Sequence, residues 1–449
     1  MTSAYLRALK TSLTGDPRTP LVFVCNFEVE QSWSRGFVGL PAAPFSMTGP
    51  LVTRMEELGA LLAGPDDFLI LQHPLDPAYV RYVGELGLTL PTVLLADGPA
   101  APALSRESAG ESTAARAMNS PALLAILRDL AARGARLMPM GVSEEEVRLA
   151  EAAGMPLAAP DLDTVIAVNS KIYSRRLVEA SGLRAVPGWC CETVPEFTEL
   201  MTALPEFPVV VKDAYGVSGK GLVLVEDQRT AERLIRQVTR RAARRGDDRL
   251  HVVVERWLPK RANLNYQLTV DASGEIRLDF VKEALTEGGV HLGHLSPARL
   301  DVHQLAEIEK AAQTVGQALH RDGFWGVAGV DAVVATDEVI YPVLEINARF
   351  NMSTYQGAVL EAFEHPASLA RRHVLRLSAP LDFSAVRDAL PSAGDLVITC
   401  FGTVNAMAGD AAPFEGRLYT LALGPDREAV TALADAASKA LEHLAEGAR

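Results

Sequence analysis

The chain has 449 residues, a length that predicts about three domains and hydrophobic cores that need no disulfide or metal cross-links. Asp and Glu outnumber Lys and Arg by 56 to 43, and the formal charge of -13 argues against a general nucleic-acid-binding protein or a basic membrane-surface protein. Since no apolar stretch approaches the roughly 18 residues of a membrane span and no signal peptide is evident, we expect a cytoplasmic protein.

The first third of the chain alternates short apolar runs with helical patterns. Three runs have the composition of buried strands: 21–24, 68–71 and 92–95. Segments near 51–63 and 121–133 have helical spacing, and this strand–helix alternation predicts an open, largely parallel sheet. The segment 97–121 is rich in Ala, Pro, Ser and Gly. We interpret it as a mobile surface loop, with a functional lid as the alternative.

A glycine-rich connector between two β-branched runs follows in the second third. The runs at 208–212 and 222–225 predict an antiparallel hairpin with its tip at 213–221. Glycine lets backbone N–H groups approach an anion closely and Lys220 adds positive charge, so the tip is a candidate phosphate cradle. An ordinary turn is the alternative, because the spacing matches neither a Walker A loop nor a dinucleotide fingerprint.

The rest of the chain mixes helices and strands. Helices are expected at 229–245, 305–319 and from 426 onward. Strands are expected at 251–255, 266–270, 276–281, 330–334, 339–346, 396–400 and 417–423. The arginine run on the first helix is interpreted as a solvated face, with binding to an acidic peptide as the alternative. His291 and His294 are expected in a loop with satisfied hydrogen bonds rather than at a metal site, with a loop near the acceptor site as the alternative.

Glu345, Asn347 and Arg349 form a polar pattern beside apolar neighbours. They lie at i, i+2 and i+4, so on a strand all three side chains point to one face. Asp331, on the preceding strand of the same predicted hairpin, can supply another acidic ligand. Mg²⁺ takes one or two protein carboxylates together with phosphate oxygens and water, so this pattern predicts a magnesium–phosphate site. The alternative is a solvated strand face with a Glu–Arg pair worth under about 1 kcal/mol.

The order of these motifs resembles that of the ATP-grasp superfamily of carboxylate–amine ligases. A lysine, a strand lysine, a glycine-rich tip, a hinge, an acidic strand and Glu-x-Asn follow one another over residues 165–365. The resemblance implies an α/β protein in which a Rossmann-like pre-ATP-grasp domain (1–165) precedes a two-lobed ATP-grasp fold (166–258 and 259–375). A small C-terminal α/β domain (376–449) would follow. The implied cofactors are ATP and Mg²⁺.

The same resemblance implies roles for individual residues. Lys171 and Lys212 match the lysines that contact the nucleotide phosphates. Arg349 matches the arginine that stabilises the acyl phosphate or the tetrahedral intermediate. The implied catalytic residues are therefore Arg349 and Lys212. The implied magnesium ligands are Asp331, Glu345 and Asn347. The implied loop over the β- and γ-phosphates contains Tyr215, Gly216, Ser218, Gly219, Lys220 and Gly221. The implied adenine hinge contains Glu255, Arg256, Trp257 and Leu258.

In that hinge Glu255 would accept from the adenine amino group, the backbone at Arg256 and Leu258 would read the ring edge, and Trp257 is expected to pack rather than stack on adenine. Two positions depart from the family pattern. The usual acidic ribose contact after the hinge is missing, so Asn263 or Asn265 is the candidate substitute. The arginine that some ligases carry two positions before the strand aspartate is Gly329 here. Arg299 or Arg349 would then bind the reacting carboxylate alone.

Within the superfamily, the chain is similar to peptide ligases of antibiotic biosynthesis. The likeness rests on LVFVCNFEVEQSW, LEINARFNMSTYQ and the tail from ITCFGTVNA to RLYTLALG. It implies that ATP activates a carboxylic acid as an acyl phosphate, and that the N-terminus of a peptide then attacks this intermediate, with release of ADP and phosphate. The candidate acid is a nonproteinogenic amino acid of the guanidino or phenylglycine type. The alternatives are a ligase for another small carboxylate or amino acid and a non-catalytic nucleotide-binding regulator. The expected partners are an acid donor and a peptide or amine acceptor, without nucleic acid or membrane; a homodimer is left open.

Overall fold

The computed structural model describes residues 2–41, 49–98, 110–216, 221–287, 290–391, 395–409 and 412–447. Within these ranges the strands form three sheets, one parallel and four-stranded, one antiparallel and four-stranded, and one antiparallel and eight-stranded. None of the helices in these ranges is long and apolar enough to cross a membrane. The combination of helices with one parallel and two antiparallel sheets confirms the predicted α/β class.

The parallel sheet forms the N-terminal part of the chain. Its strands are β1 (Leu21–Val24), β2 (Phe68–Leu71), β3 (Thr92–Leu95) and β4 (Arg136–Pro139). Its helices are α1 (Ala4–Thr14), α2 (Glu30–Trp33), α3 (Pro50–Arg54), α4 (Pro77–Glu85), α5 (Thr113–Met118), α6 (Pro121–Ala132), α7 (Glu144–Ala153) and α8 (Leu162–Val168), with a 3₁₀ helix at Met55–Leu61. The spatial order β3-β2-β1-β4 places the three predicted strands side by side. Of the predicted mobile loop, 99–109 lies outside the described residues, and α5 occupies part of the remainder.

The second sheet belongs to the first predicted grasp lobe. Its elements are α9 (Lys171–Ala180), β5 (Gly188–Thr193), α10 (Val194–Ala203), β6 (Val209–Asp213), β7 (Leu222–Val225), α11 (Gln228–Arg245) and β8 (Arg249–Arg256). The predicted hairpin is present, because β6 and β7 pair antiparallel from Val209↔Val225 to Lys212↔Leu222. On α11, buried apolar residues at helical spacing pack on this sheet while the arginines are exposed, so the predicted solvated face is confirmed.

The third sheet carries the remaining strands. Its elements are β9 (Lys260–Val270), β10 (Ile276–Glu287), β11 (Val290–Ser296), α12 (Val302–Arg321), β12 (Gly326–Ala335), β13 (Ile340–Asn347), α13 (Gly357–Phe363), β14 (Ala367–Leu377), α14 (Phe383–Ala389), β15 (Asp395–Cys400), β16 (Phe414–Gly424) and α15 (Arg427–Gly447), with a 3₁₀ helix at Thr354–Gln356. The spatial order is β13-β12-β9-β10-β11-β14-β16-β15. α12 covers one face of β9 and β12, where Ile308 and Val315 join Tyr266 and Leu268 in a buried core.

Two features of this sheet differ from what local patterns predict. His291 and His294 lie in β11 and not in a loop, so that prediction was wrong. β11 is held between β10 and β14, and hydrogen bonds to both neighbours keep its glycine-containing segment extended. The predicted boundary between 375 and 376 falls inside β14, which pairs with β16 along its whole length, from Ala367↔Gly424 to Leu377↔Phe414.

Candidate active site

The β12–β13 hairpin brings the three predicted magnesium ligands together. Asp331 and Glu345 are direct cross-strand partners, and Asn347 pairs with Gly329, two residues before Asp331. Because directly paired residues in antiparallel strands project to the same face, the two carboxylates share one surface of the sheet. Asn265, on β9, pairs with Asp331 from the other side, and its Nδ2 donates to Asp331 Oδ1 at 2.8 Å.

This polar row has the electrostatic character of a cation site. Burial, with a further contribution from the Glu345 charge, raises the pKa of Asp331 to about 6. Asn265 Oδ1 is buried and has no hydrogen-bond partner in the described part of the chain. A divalent cation would relieve the repulsion between the carboxylates and would offer this oxygen a partner. The residues therefore fit Mg²⁺. The described residues contain no cluster of three or more His, Cys, Asp or Glu that could hold a metal, but magnesium needs only one or two carboxylates beside phosphate and water.

Lys171 links the row to the base of the glycine-rich tip. It is the first residue of α9, and the Ser170 hydroxyl caps that helix by accepting from Ile172 N–H. Lys171 Nζ donates to Glu345 Oε1 and to Gly216 O, each at 2.6 Å. A buried ammonium between a metal-ligand candidate and the phosphate-loop candidate is placed where triphosphate charge would be neutralised.

Lys212 and Glu255 form a second ion pair, across β6 and β8. Lys212 Nζ lies 2.6 Å from Glu255 Oε2, and Arg175 Nη1 lies 3.4 Å from Glu255 Oε1. Burial lowers the pKa of Lys212, but Glu255, Glu345 and Asp331 outweigh burial and raise it overall. The Glu255 carboxylate therefore contacts two cations, an arrangement that sequence reasoning did not anticipate. Its predicted contact with adenine stays a prediction.

The backbone at the predicted hinge is partly engaged. Arg256 N–H donates to Pro187 O at 2.9 Å, and Trp257 N–H donates to Pro208 O at 3.1 Å. Lys260 Nζ lies 5.3 Å from the centre of a Trp257 ring, a cation–π distance. These contacts hold β8 against its neighbours. Adenine contacts by Arg256, Trp257 and Leu258 remain predictions.

Part of the predicted phosphate loop can be described. Ser218, Gly219 and Lys220 lie outside the described residues. Tyr215 stacks on Phe37 with ring centres 5.9 Å apart, and Gly216 O accepts from Lys171. Gly221 has a φ of +70°, and a Cβ there would lie 2.7 Å from Asp213 Oδ2. Glycine is thus required at the point where the hairpin returns.

Arg349 forms a buried ion pair with Glu30 of α2, and both side chains are less than a tenth exposed. Its Nη2 also donates to Asn347 Oδ1 at 3.0 Å. Burial raises the pKa of Glu30, although Arg349 and Lys171 oppose this. The N-terminal part of the chain therefore contributes a carboxylate to the site. Sequence reasoning missed Glu30, because no local signal connects residues 319 positions apart.

The two departures from the family pattern have structural counterparts. Asn265 contacts the Asp331 carboxylate, and Asn263 Nδ2 donates to Thr286 Oγ1 at 3.1 Å. A Cβ on Gly329 would lie 2.7 Å from Asn351 Nδ2, so a side chain at 329 would require the buried Asn351 to move. Arg299 is exposed, and its backbone N–H donates to Glu283 Oε1.

Known families and proteins match the same regions. Residues 55–155 match the pre ATP-grasp domain family, and residues 170–357 match the ATP binding domain of the carbamoyl-phosphate synthase L chain. The [butirosin acyl-carrier protein]–L-glutamate ligase of Niallia circulans is 24% identical over 320 residues, which cover 70% of this chain and 68% of that protein. The carbamoyl phosphate synthase large chain of Xanthomonas campestris pv. campestris is 24% identical over 207 residues, 45% of this chain but only 18% of that protein.

Solved structures share the fold. The biotin carboxylase of Campylobacter jejuni superposes with a TM-score of 0.56 at 14% identity, covering 93% of this chain and 90% of that chain. The L-amino acid ligase of Bacillus licheniformis superposes with a TM-score of 0.53 at 14% identity, covering 94% and 98%. With a pre-ATP-grasp domain ahead of an ATP-binding domain, the chain belongs to the ATP-grasp superfamily of ATP-dependent ligases, whose cofactors are ATP and Mg²⁺.

Proposed function

We propose that this chain is an ADP-forming carboxylate–amine ligase that activates a small carboxylic or amino acid as an acyl phosphate and transfers it to an amine. The observation that carries the proposal is the convergence of acidic and basic groups on one face of the large sheet. Asp331 and Glu345 are register partners there, and Lys171 Nζ lies 2.6 Å from Glu345. This is the charge arrangement that phosphoryl transfer needs, since the protein contributes mainly positioning and charge stabilisation.

Each group has a separate task in this scheme. MgATP, when bound, supplies the phosphoryl group and the metal charge that offsets it. Asp331, Glu345 and Asn347 would hold the metal, and Lys171 and Lys212 would neutralise charge on the phosphate oxygens. Arg349, beside Asn347, steadies the acyl phosphate and the tetrahedral species that forms when the amine attacks.

We propose a peptide N-terminus as the acceptor and a nonproteinogenic amino acid as the donor, following the resemblance to peptide ligases of antibiotic biosynthesis. A second candidate acceptor is a carrier protein, because a relative that matches 70% of this chain is an acyl-carrier-protein–glutamate ligase. Exposed arginines on α11, among them Arg233, Arg236 and Arg240, would suit an acidic acceptor of either kind.

We propose the domain limits 1–165, 166–258, 259–375 and 376–449. The first limit falls within α8, between the parallel sheet and α9, and the second is supported by the four-stranded antiparallel sheet, which ends with β8. The last limit follows the family resemblance and falls within β14. Residues 376–449 extend the large sheet instead of forming one of their own.

The test is a search for condensed products. The purified protein is incubated with MgATP, mixed amino acids and peptides, and products are identified by mass spectrometry. Hydroxylamine added with the correct acid is expected to trap a hydroxamate, with ADP and phosphate formed in equal amounts. AMP and pyrophosphate would overturn the mechanism. A non-catalytic regulator would bind MgATP without acid-dependent ADP release.

A further inference from the structure

The polar row on the large sheet extends one strand beyond Asn265. Lys282, on β10, is the direct register partner of Asn265 on β9. Asn265 pairs in turn with Asp331 on β12, and Asp331 pairs with Glu345 on β13. All four side chains therefore project from the same face. Because neighbouring strands lie about 4.8 Å apart, the Lys282 backbone is about 10 Å from that of Asp331.

Lys282 is a buried base with an uncharged partner. Its side chain is 2% exposed, and Nζ donates to Gln356 Oε1 at 2.8 Å and lies 4.5 Å from the centre of the Phe280 ring. In the described part of the chain no carboxylate lies within salt-bridge distance of it. Burial alone lowers the pKa of Lys282 to about 7. A buried ammonium is costly unless an anion accompanies it.

Its neighbours on this face are also basic. His294 pairs with Ala284, two residues along from Lys282, and its buried Nδ1 has no hydrogen-bond partner among the described residues. Its Nε2 lies 3.2 Å from His291 Nε2. Arg372, on β14, adds a buried Nε that likewise has no hydrogen-bond partner there. Tyr419 is the register partner of Arg372, and Glu415, four residues before Tyr419 on β16, lies 2.8 Å from Arg417.

The other candidate cations for an acid substrate are less suited. Arg349 is paired with Glu30, Arg299 is exposed, and residue 329 is a glycine. We propose that Lys282, with Gln356 and His294, binds a carboxylate of the acyl donor. This proposal rests on the proposed ligase function. It assigns the recognition of the acid to β10, which is separated from the metal-ligand candidates of β12 and β13 by β9.

The test uses full-length protein and three variants. Lys282→Met removes the charge at similar length, Gln356→Glu places an internal carboxylate beside Lys282, and Lys310→Met makes the same change on the exposed face of α12. Each protein is titrated with sodium acetate against sodium chloride at constant ionic strength. Acetate is expected to raise the melting temperature of the wild type and of Lys310→Met, but not of the other two. Equal shifts in all four proteins, or none in the wild type, would overturn the proposal.

Turnover separates this site from the ligase function itself. With a donor acid in hand, Lys282→Met is expected to raise the KM for that acid by about tenfold or more. The KM for ATP and the melting-temperature shift with MgADP should stay at wild-type values. An unchanged KM for the acid contradicts the assignment. If the wild type binds acetate through Lys282 but releases no ADP with any acid, the carboxylate site is supported and the proposed ligase function is contradicted.

Discussion

Asp331 and Glu345 face each other across the β12–β13 hairpin as direct register partners. Two carboxylates held on one sheet face repel each other, and the raised pKa of Asp331 records burial together with this repulsion. Lys171 offsets only part of the charge, through Glu345. A divalent cation held by Asp331 and Glu345 would therefore stabilise the pair by offsetting the remaining charge.

Glu345→Gln should abolish metal-dependent turnover while the fold is kept. The change preserves shape but removes one of the two charges and weakens the contact with Lys171, so we expect a fall in kcat of about 100-fold or more. The measurement is ATP turnover as a function of Mg²⁺ concentration, with circular dichroism to check folding. Glu275→Gln, on an exposed turn, is the matched control and should leave ATP turnover unchanged. Near-normal activity in Glu345→Gln would mean that the metal site is misplaced.

Glu255→Gln should destabilise the first grasp lobe. It leaves the partly buried Lys212 without its carboxylate partner and Arg175 with Glu179 alone, and we expect a loss of roughly 3 kcal/mol in the free energy of unfolding. Because nucleotide phosphates would give Lys212 a new anion, MgADP should raise the melting temperature more in the variant than in the wild type.

Chemical denaturation measures the first effect and a thermal shift the second. Glu192→Gln, which breaks an exposed pair with Arg176, is the control and should cost under about 1 kcal/mol. Equal stability of the two variants would show that the buried carboxylate has no structural role.

Stability should fall with rising pH because of Glu56. Burial raises its pKa from the usual 4.5 to about 8, so the folded state holds a proton there that the unfolded state releases above its own pKa. The stabilisation that comes from this protonated carboxyl is complete at pH values below the pKa of Glu56 in the unfolded chain. It is lost as the pH rises towards 8. In Glu56→Gln, the fall in the free energy of unfolding with rising pH should be smaller than in the wild type, by an amount on the order of a few kcal/mol.

The measurement for Glu56 is denaturant unfolding at pH 5.5 and pH 8, compared between wild type and variant. Glu85→Gln, on an exposed helix end, should retain the wild-type slope. If Glu56→Gln also retains it, the Glu56 carboxyl is ionised in the folded protein at neutral pH.

A fragment ending at residue 375 should not fold as the whole chain does. The cut removes the last two residues of β14 and all of β16, its partner along its whole length, and it exposes apolar core residues such as Leu375. We expect loss of the cooperative thermal transition and of MgADP binding, measured by circular dichroism and by calorimetry. A fragment that melts cooperatively and binds MgADP like the full chain would establish 376–449 as an independent unit.

Local sequence patterns determined the parts of the protein that depend on neighbours along the chain. The period-two spacing of Glu345 and Asn347 placed two polar side chains on one face of β13, whereas Arg349, predicted on the same strand, lies two residues beyond its end. The hairpin of β6 and β7 followed from two β-branched runs around glycine. The three apolar runs of the first third became adjacent strands of a parallel sheet. In each case a short segment carries both the pattern and its structural consequence.

The tertiary structure decided which distant groups meet. Glu30 reaches Arg349 only because α2 packs beside the end of β13, and Lys282 joins the row of Asp331 only through the register of β10, β9 and β12. β11 and β14 are held extended by backbone hydrogen bonds to the strands on either side of each. The burial that raises the pKa of Asp331 and of Glu30 arises from segments far apart in sequence that exclude water together.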